Sequence, residues 1–248
     1  MDHRIAGAAA VLALGFGSQA LAADLPVAVA ANFTEPAKEI AAAFETKSHT
    51  HVALSFGASG QFYAQISHGA PFEVFLSADA DRPAQAEKEG FAVPGTRFTY
   101  AVGKLVLFSK TAGLVDGKGA VLKSRGFQKL AIADPAVAPY GVAAVQTMTR
   151  LGVYDALKPK LVMGTSINQT FQFVQTGAAE LGFVALSQVV ADASGSRWLV
   201  PEADHAPIEQ QAVLLKTGQD DAAAKAFVAF LKGPEARKVI QKFGYGTR

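Results

Sequence analysis

Two kinds of run alternate along this chain. Short, mostly apolar stretches recur at Leu25–Ala30 (LPVAVA), 51–56 (HVALSF), 72–76, 104–108 (KLVLF), Leu130–Ala133 (LAIA), Leu181–Ala185 (LGFVA) and 212–215 (AVLL). Such runs, bounded by small or polar residues, fit strands buried on both faces. Between the first of them the apolar positions change period. Ala37, Ile40, Ala41 and Phe44 fall on one helical face, with Thr34 as the expected N-cap and Glu35 and Pro36 in the first turn. Gly57-Ala58-Ser59-Gly60 predicts a tight turn into a helix over 61–67, and 82–89 is the third helix. The opening order is therefore βαβαβα, which favours a mostly parallel sheet with helices on both faces. Further on, an extended stretch begins at Phe98 and includes 104–108, a helix or turn starts at 127–129, and helices are expected over 141–151, 168–175, 221–231 and 234–243. There is no internal repeat, and the strand–helix units are too few for an eightfold barrel. The fold class is α/β, with two α/β lobes.

The first residues follow a different rule. Arg4 starts a short basic region, 5–16 is apolar, and Ala20-Leu21-Ala22 gives a small-x-small pattern. Residues 1–23 read as a secretory signal peptide, with cleavage after Ala22 or Ala23. The run is short for a membrane span, and no later apolar stretch reaches about 18 residues, so no membrane insertion is expected after cleavage. The remaining composition narrows the function. Half the 248 residues are hydrophobic and 18% are charged, which excludes a disordered chain. The formal charge of +2 is too balanced for a nucleic-acid binder working through a basic face. With no cysteine there is neither a disulfide nor a thiolate nucleophile.

Four loops stand out: Ala31-Asn32-Phe33-Thr34, Gly57-Ala58-Ser59-Gly60, Pro139-Tyr140-Gly141 and Thr165-Ser166-Ile167-Asn168. Each follows an extended segment and precedes a helix, where unpaired N–H groups and the positive end of the helix dipole face outward. None contains Lys, Arg, Asp or Glu. Neutral donors alone suit a fully ionised oxyanion, whereas a protonated one such as hydrogen phosphate wants a carboxylate acceptor. For Ser59, Thr165 or Ser166 taken singly, ordinary capping accounts for the residue. The joint pattern points to an anion site.

With these stretches in view, the chain resembles the periplasmic molybdate-binding proteins of ABC transporters. The matching segments are 27–33 (VAVAANF), 55–60 (SFGASG), 69–79 (GAPFEVFLSAD), Ala133-Asp134-Pro135 with Pro139-Tyr140-Gly141, 177–184, and 230–236 (FLKGPEA). The resemblance implies two lobes joined by crossing strands, a type II periplasmic binding-protein arrangement, with the ligand in the cleft between them. Lobe one would be 24–101 plus 214–248, and lobe two 102–213. It implies a monomer in the periplasm that binds molybdate, and tungstate, and delivers it to a membrane permease, with no cofactor, no catalysis and no nucleic-acid partner. By position, the contacts would be the Asn32 side chain, the Ser59 hydroxyl and main-chain amides at Ala58, Ser59, Tyr140 and Ile167, with Ala31 beside them. The chain departs from the commonest family pattern at Asn32, where serine is frequent, at Tyr140, where a small residue is, and at Ala185, where many members place a ligand-binding tyrosine. Tyr140 then offers a phenol or a ring wall in compensation.

Other chemistries fare worse. Ser59 lacks a Gly-x-Ser-x-Gly elbow because Gln61 stands at the last glycine, which weakens a serine hydrolase. His49 and His51 alternate as a metal pair would, but they lie in a polar surface stretch, and there is no HExxH. Asp79 and Asp81 read as a structural turn after a strand. Ferric binding wants paired tyrosines and carboxylates, and Tyr63, Tyr100, Tyr140, Tyr154 and Tyr245 include no adjacent pair. Binding of sulfate or of ferric ion are the alternatives kept.

Overall fold

The computed structural model describes residues 24–124 and 126–247. The expected signal peptide lies outside them. In chain order the strands and helices are β1 (Leu25–Ala30), α1 (Thr34–Ser48), β2 (Val52–Gly57), α2 (Ser59–Ser67), β3 (Val74–Leu76), α3 (Asp81–Lys88), β4 (Phe98–Gly103), β5 (Leu105–Ser109), α4 (Val121–Ser124), β6 (Leu130–Ala133), α5 (Pro139–Arg150), α6 (Tyr154–Leu157), β7 (Leu161–Gly164), α7 (Ile167–Gln175), β8 (Leu181–Ala185), α8 (Leu186–Val189), β9 (Ser196–Leu199), β10 (Ile208–Leu214), α9 (Ala222–Leu231) and α10 (Pro234–Lys242). Among the described residues no helix is long and apolar enough to cross a membrane.

The strands form two five-stranded sheets of the same design, ordered β2-β1-β3-β10-β4 and β7-β6-β8-β5-β9. In each, four strands point the same way and one runs against them, pairing antiparallel with both its neighbours: β10 in the first, β5 in the second. The mostly parallel sheet expected from the βαβαβα order is thus a mixed sheet with one reversed strand in each lobe. The reversed strand in each sheet is the one that arrives from the other lobe, β5 after β4 and β10 after β9, and it enters from the opposite end. The extended stretch from Phe98 is two strands rather than one. It passes from the first sheet to the second at Lys104, between β4 and β5. The return is β10, which lies wholly in the first sheet, so positions 101/102 and 213/214 both fall within strands of that sheet.

The inner parallel strands β1, β3, β6 and β8 are buried along almost their whole length, as their unbroken apolar runs require. The helices cover the sheet faces, with Phe44 of α1 edge-on to Phe227 of α9 at 5.2 Å. Burying a side chain of this size stabilises the fold by roughly 1.5–3 kcal/mol. Gly103 is fixed by close approach. A Cβ there would stand 2.3 Å from Tyr140 Oη and 2.6 Å from Gln210 Nε2, so only glycine lets the crossing strand pass these groups. Thr34 is not a cap: its hydroxyl donates to the Ala31 carbonyl at 2.7 Å, because residues 31–33 form a 3₁₀ turn that leads into α1.

At the end of the first sheet away from the lobe boundary, Glu73 sits beside Asp221, the residue that caps α9 by accepting from Ala223 N at 2.5 Å and Ala224 N at 3.3 Å. Glu73 Oε2 is buried with no hydrogen-bond partner. Burial first, and the neighbouring Asp221 second, push the Glu73 carboxyl up to about 7. A carboxyl raised in the folded state adds stability while it is protonated and loses it as pH rises from the ordinary carboxylate range, about 4.3, through about 7. Glu73→Gln is therefore expected to flatten that decline and to melt above the parent protein at pH 8. Thermal melts of both proteins from pH 5 to pH 8 check this, and parallel curves would exclude Glu73 as the source.

Candidate anion site

The four neutral loops converge. A small cavity at the lobe boundary is lined by Ala30, Ala31, Asn32, Gly57, Ala58, Ser59, Ala78, Ala138, Pro139, Tyr140 and Ile167. Every loop singled out from the sequence contributes, two from each lobe, and no lining residue is charged. The strand ends deliver them: β1 and β2 end at Ala30 and Gly57, while β6 and β7 end just before Ala138 and Ile167. This is the carboxyl edge of the parallel strands, where open α/β sheets hold ligands.

Each helix start brings donors that its own turn does not use. In α2, Ser59 is 1% exposed. Its Oγ accepts from Ala78 N at 2.9 Å, which fixes the oxygen and leaves the hydroxyl hydrogen to donate. Gln61 Oε1 receives the Ala58 N–H at 3.4 Å, and Gly60 N donates to Val137 O of the other lobe at 2.9 Å. The Ser59 N–H is thus the main-chain donor of this loop best placed for a ligand. Gly60 has to be glycine for the lobes to meet, since a Cβ would lie 3.0 Å from Val137 Cα. In α5 the first residue, Pro139, has no N–H, and Gly141 N returns to Ala138 O at 2.9 Å, so Tyr140 supplies the main-chain donor. In α7, Ser166 Oγ caps Gln169 N at 3.4 Å and Gln169 Oε1 takes Thr165 N at 2.6 Å, leaving the Ile167 N–H at the tip. Ser166 and Thr165 are thereby structural.

Asn32 lines the cavity, but its carboxamide is used elsewhere. Nδ2 donates to Gln210 Oε1 at 2.8 Å and to Tyr245 Oη at 3.0 Å, which spends both hydrogens. What Asn32 and Ala31 offer an anion is main-chain N–H at the start of the 3₁₀ turn. The expected donation from the Asn32 side chain is corrected to that extent. The Tyr140 phenol is likewise engaged away from the loop, accepting from Gln210 Nε2 at 3.3 Å beside Gly103.

Behind the cavity lies a buried polar network that sequence reasoning missed. Gln210 Oε1 accepts from Asn32 and from Tyr100 Oη at 3.0 Å, and Tyr100 also reaches Ser77 O at 3.1 Å. Tyr245 Oη donates to Asn32 O at 2.7 Å and lies 3.0 Å from Ser187 Oγ. Burial raises the pKa of Tyr100, Tyr140 and Tyr245, so all three stay neutral phenols at physiological pH. Three tyrosines do gather here, but as hydrogen-bonded phenols engaged with amides. Among the described residues no group of three or more His, Asp and Glu gathers to hold a metal. His51 pairs with Glu45 at 2.9 Å on the surface.

The larger groove at the lobe boundary is different in kind. Asp79, Asp81, Arg82 and Glu209 line it, three carboxylates against one guanidinium, which is unfavourable for a dianion. Asp79 holds α3, accepting from Arg82 N at 3.0 Å and pairing with the Arg82 guanidinium, as the structural reading of this turn expects.

Comparison with known proteins agrees with this geometry. Residues 25–246 match the bacterial extracellular solute-binding protein family. The chain is 58% identical to the molybdate-binding protein ModA of Rhodobacter capsulatus, over 98% of this chain and 96% of that one. It is 56% identical to ModA of Azotobacter vinelandii, over 96% and 97%. The solved periplasmic molybdate-binding protein of Azotobacter vinelandii superposes with a TM-score of 0.87 at 43% identity, covering 90% of this chain and 99% of that one.

Ser59→Ala removes a hydroxyl from the cavity wall and the acceptor of Ala78 N while keeping a buried, small side chain. Calorimetric titration with molybdate is expected to show affinity reduced by about 1–3 kcal/mol, with a circular dichroism spectrum like that of the parent. Unchanged affinity takes Ser59 out of the site.

Proposed function

We propose that this chain, which belongs to the bacterial extracellular solute-binding protein family, captures molybdate as the binding component of an ABC importer. The observation that carries the reading is a cavity built from four helix starts of two lobes with no charged side chain in its wall. Molybdate at neutral pH is a tetrahedral dianion with no proton to donate. Each of its oxygens accepts, and the cavity supplies donors: the Ser59 hydroxyl and the N–H groups of Ala31, Asn32, Ser59, Tyr140 and Ile167. The helix dipoles place partial positive charge at the same point. Tungstate has the same shape and charge and is expected to bind as well.

Selectivity follows from fixed donors. Sulfate is the smaller tetrahedron. In a cavity sized for the larger ion it leaves donors unpaired, at a cost of about 1–3 kcal/mol each. A protonated phosphate brings a hydrogen for which the wall has no carboxylate. The lobes are expected to close on the anion by a hinge movement at the crossing strands β4–β5 and β10. The working setting is the periplasm, reached by cleavage of residues 1–23, with a monomer handing its anion to a membrane permease. The reading requires no cofactor, no nucleic acid and no catalysis. Nothing polarises Ser59 as a nucleophile, since its oxygen accepts from a peptide N–H.

A thermal-melt panel with molybdate, tungstate, sulfate, phosphate and ferric citrate tests the assignment, because a ligand that binds only the native state raises the melting temperature. Shifts with molybdate and tungstate alone are expected. An equal shift with sulfate would keep an anion site and overturn the molybdate assignment. A ferric response without an oxyanion response would overturn both.

A further inference from the structure

The C-terminal segment touches both lobes. After α10, Gly246 pairs with Val102 of the crossing strand β4 through N–H···O bonds of 2.9 and 2.8 Å, which ties the segment to lobe one. This anchors Tyr245, whose buried ring packs edge-on against Phe33 with centroids 5.3 Å apart. From there its hydroxyl reaches the lobe boundary. It donates to Asn32 O at 2.7 Å, accepts from Asn32 Nδ2 at 3.0 Å and lies 3.0 Å from Ser187 Oγ on α8 of lobe two. Ser187 Oγ in turn donates to the same Asn32 carbonyl at 2.8 Å. Gly244 abuts the same helix, since a Cβ there would stand 2.9 Å from Leu186 Cδ2.

We propose that Tyr245 is a positioning residue that clasps the two lobes, holding the Ala31–Phe33 turn against α8 so that its N–H groups stay aimed at the ligand. The ligand part of this role rests on the molybdate reading. The peptide turn held from behind at the Asn32 carbonyl is the one whose residues Ala31 and Asn32 line the cavity. Opening the lobes must break the Ser187–Asn32 and Ser187–Tyr245 contacts together, so the clasp acts on release of the ligand more than on its capture.

Tyr245→Phe keeps the ring on Phe33 and removes the hydroxyl. Ser187→Ala weakens the clasp from the other lobe without touching the cavity wall. Dissociation of molybdate, followed after rapid dilution, is expected to be about 3–10-fold faster in each variant, with the association rate unchanged. The double variant should lose less than the product of the two, because they share one interaction. Hydrogen exchange gives a readout that a local packing role would not move. The Gly60 N–H, bonded across the lobes to Val137 O, should exchange faster in Tyr245→Phe, with or without molybdate. Parent-like dissociation and parent-like exchange at Gly60 overturn the clasp. So does a variant that melts lower but releases molybdate at the parent rate. If the parent protein fails to bind molybdate while Gly60 exchange still responds to Tyr245→Phe, the clasp stands and the ligand reading falls.

Discussion

A dianion taken from water loses a strong hydration shell, and a protein that offers no counter-charge has to replace that shell with hydrogen-bond donors already in place. This constraint shapes the molecule. Main-chain N–H groups at helix starts are the stiffest donors available, and they are unspent there by construction. Gathering enough of them around one small volume requires helices from several directions. Two α/β lobes with their carboxyl strand edges facing each other supply them, two helix starts from each side. Small residues at Ala30, Ala31, Gly57, Ala58, Ala78 and Ala138 bring the main chain close to the cavity. Larger side chains would stand the peptide groups off.

The side chains around the cavity mostly serve to hold these peptides. Gln61, Ser166 and Gln169 satisfy neighbouring N–H groups and leave chosen ones free. Asn32 spends its carboxamide on Gln210 and Tyr245, and Gln210 links Tyr100 and Tyr140 behind the cavity. The network is neutral throughout, with burial keeping its phenols protonated. A charged residue in its place would compete with the anion or bind it without regard to size. Neutral, fixed donors make recognition depend on geometry.

Much of this was legible in the sequence. The strands at Leu25–Ala30, Leu130–Ala133 and Leu181–Ala185 stand where continuous apolar runs place them. The charge-free loops before helices are local signals, and they converge as their pattern suggests. What escaped was non-local or locally ambiguous. The split at Lys104 lies in one extended stretch, and only pairing with different sheets divides it. The edge strands Leu161–Gly164 and Ser196–Leu199 are short and only partly buried. Asn32 looked like a ligand side chain because Gln210 and Tyr245, 178 and 213 residues away, carry no sequence mark of being its partners. Gathering Tyr100, Tyr140 and Tyr245 likewise needs both crossing strands and the chain's last turn.

The central claim is that main-chain donors and one hydroxyl, without any cation of the protein, hold the anion. A crystal structure of the mature protein with molybdate tests it most directly. The account predicts anion oxygens within hydrogen-bond distance of Ser59 Oγ and of the main-chain nitrogens of Asn32, Tyr140 and Ile167, with Asn32 Nδ2 still on Gln210 and Tyr245. Molybdate bound instead against Arg82 in the acidic groove, or with a lysine or arginine drawn into contact, would contradict it.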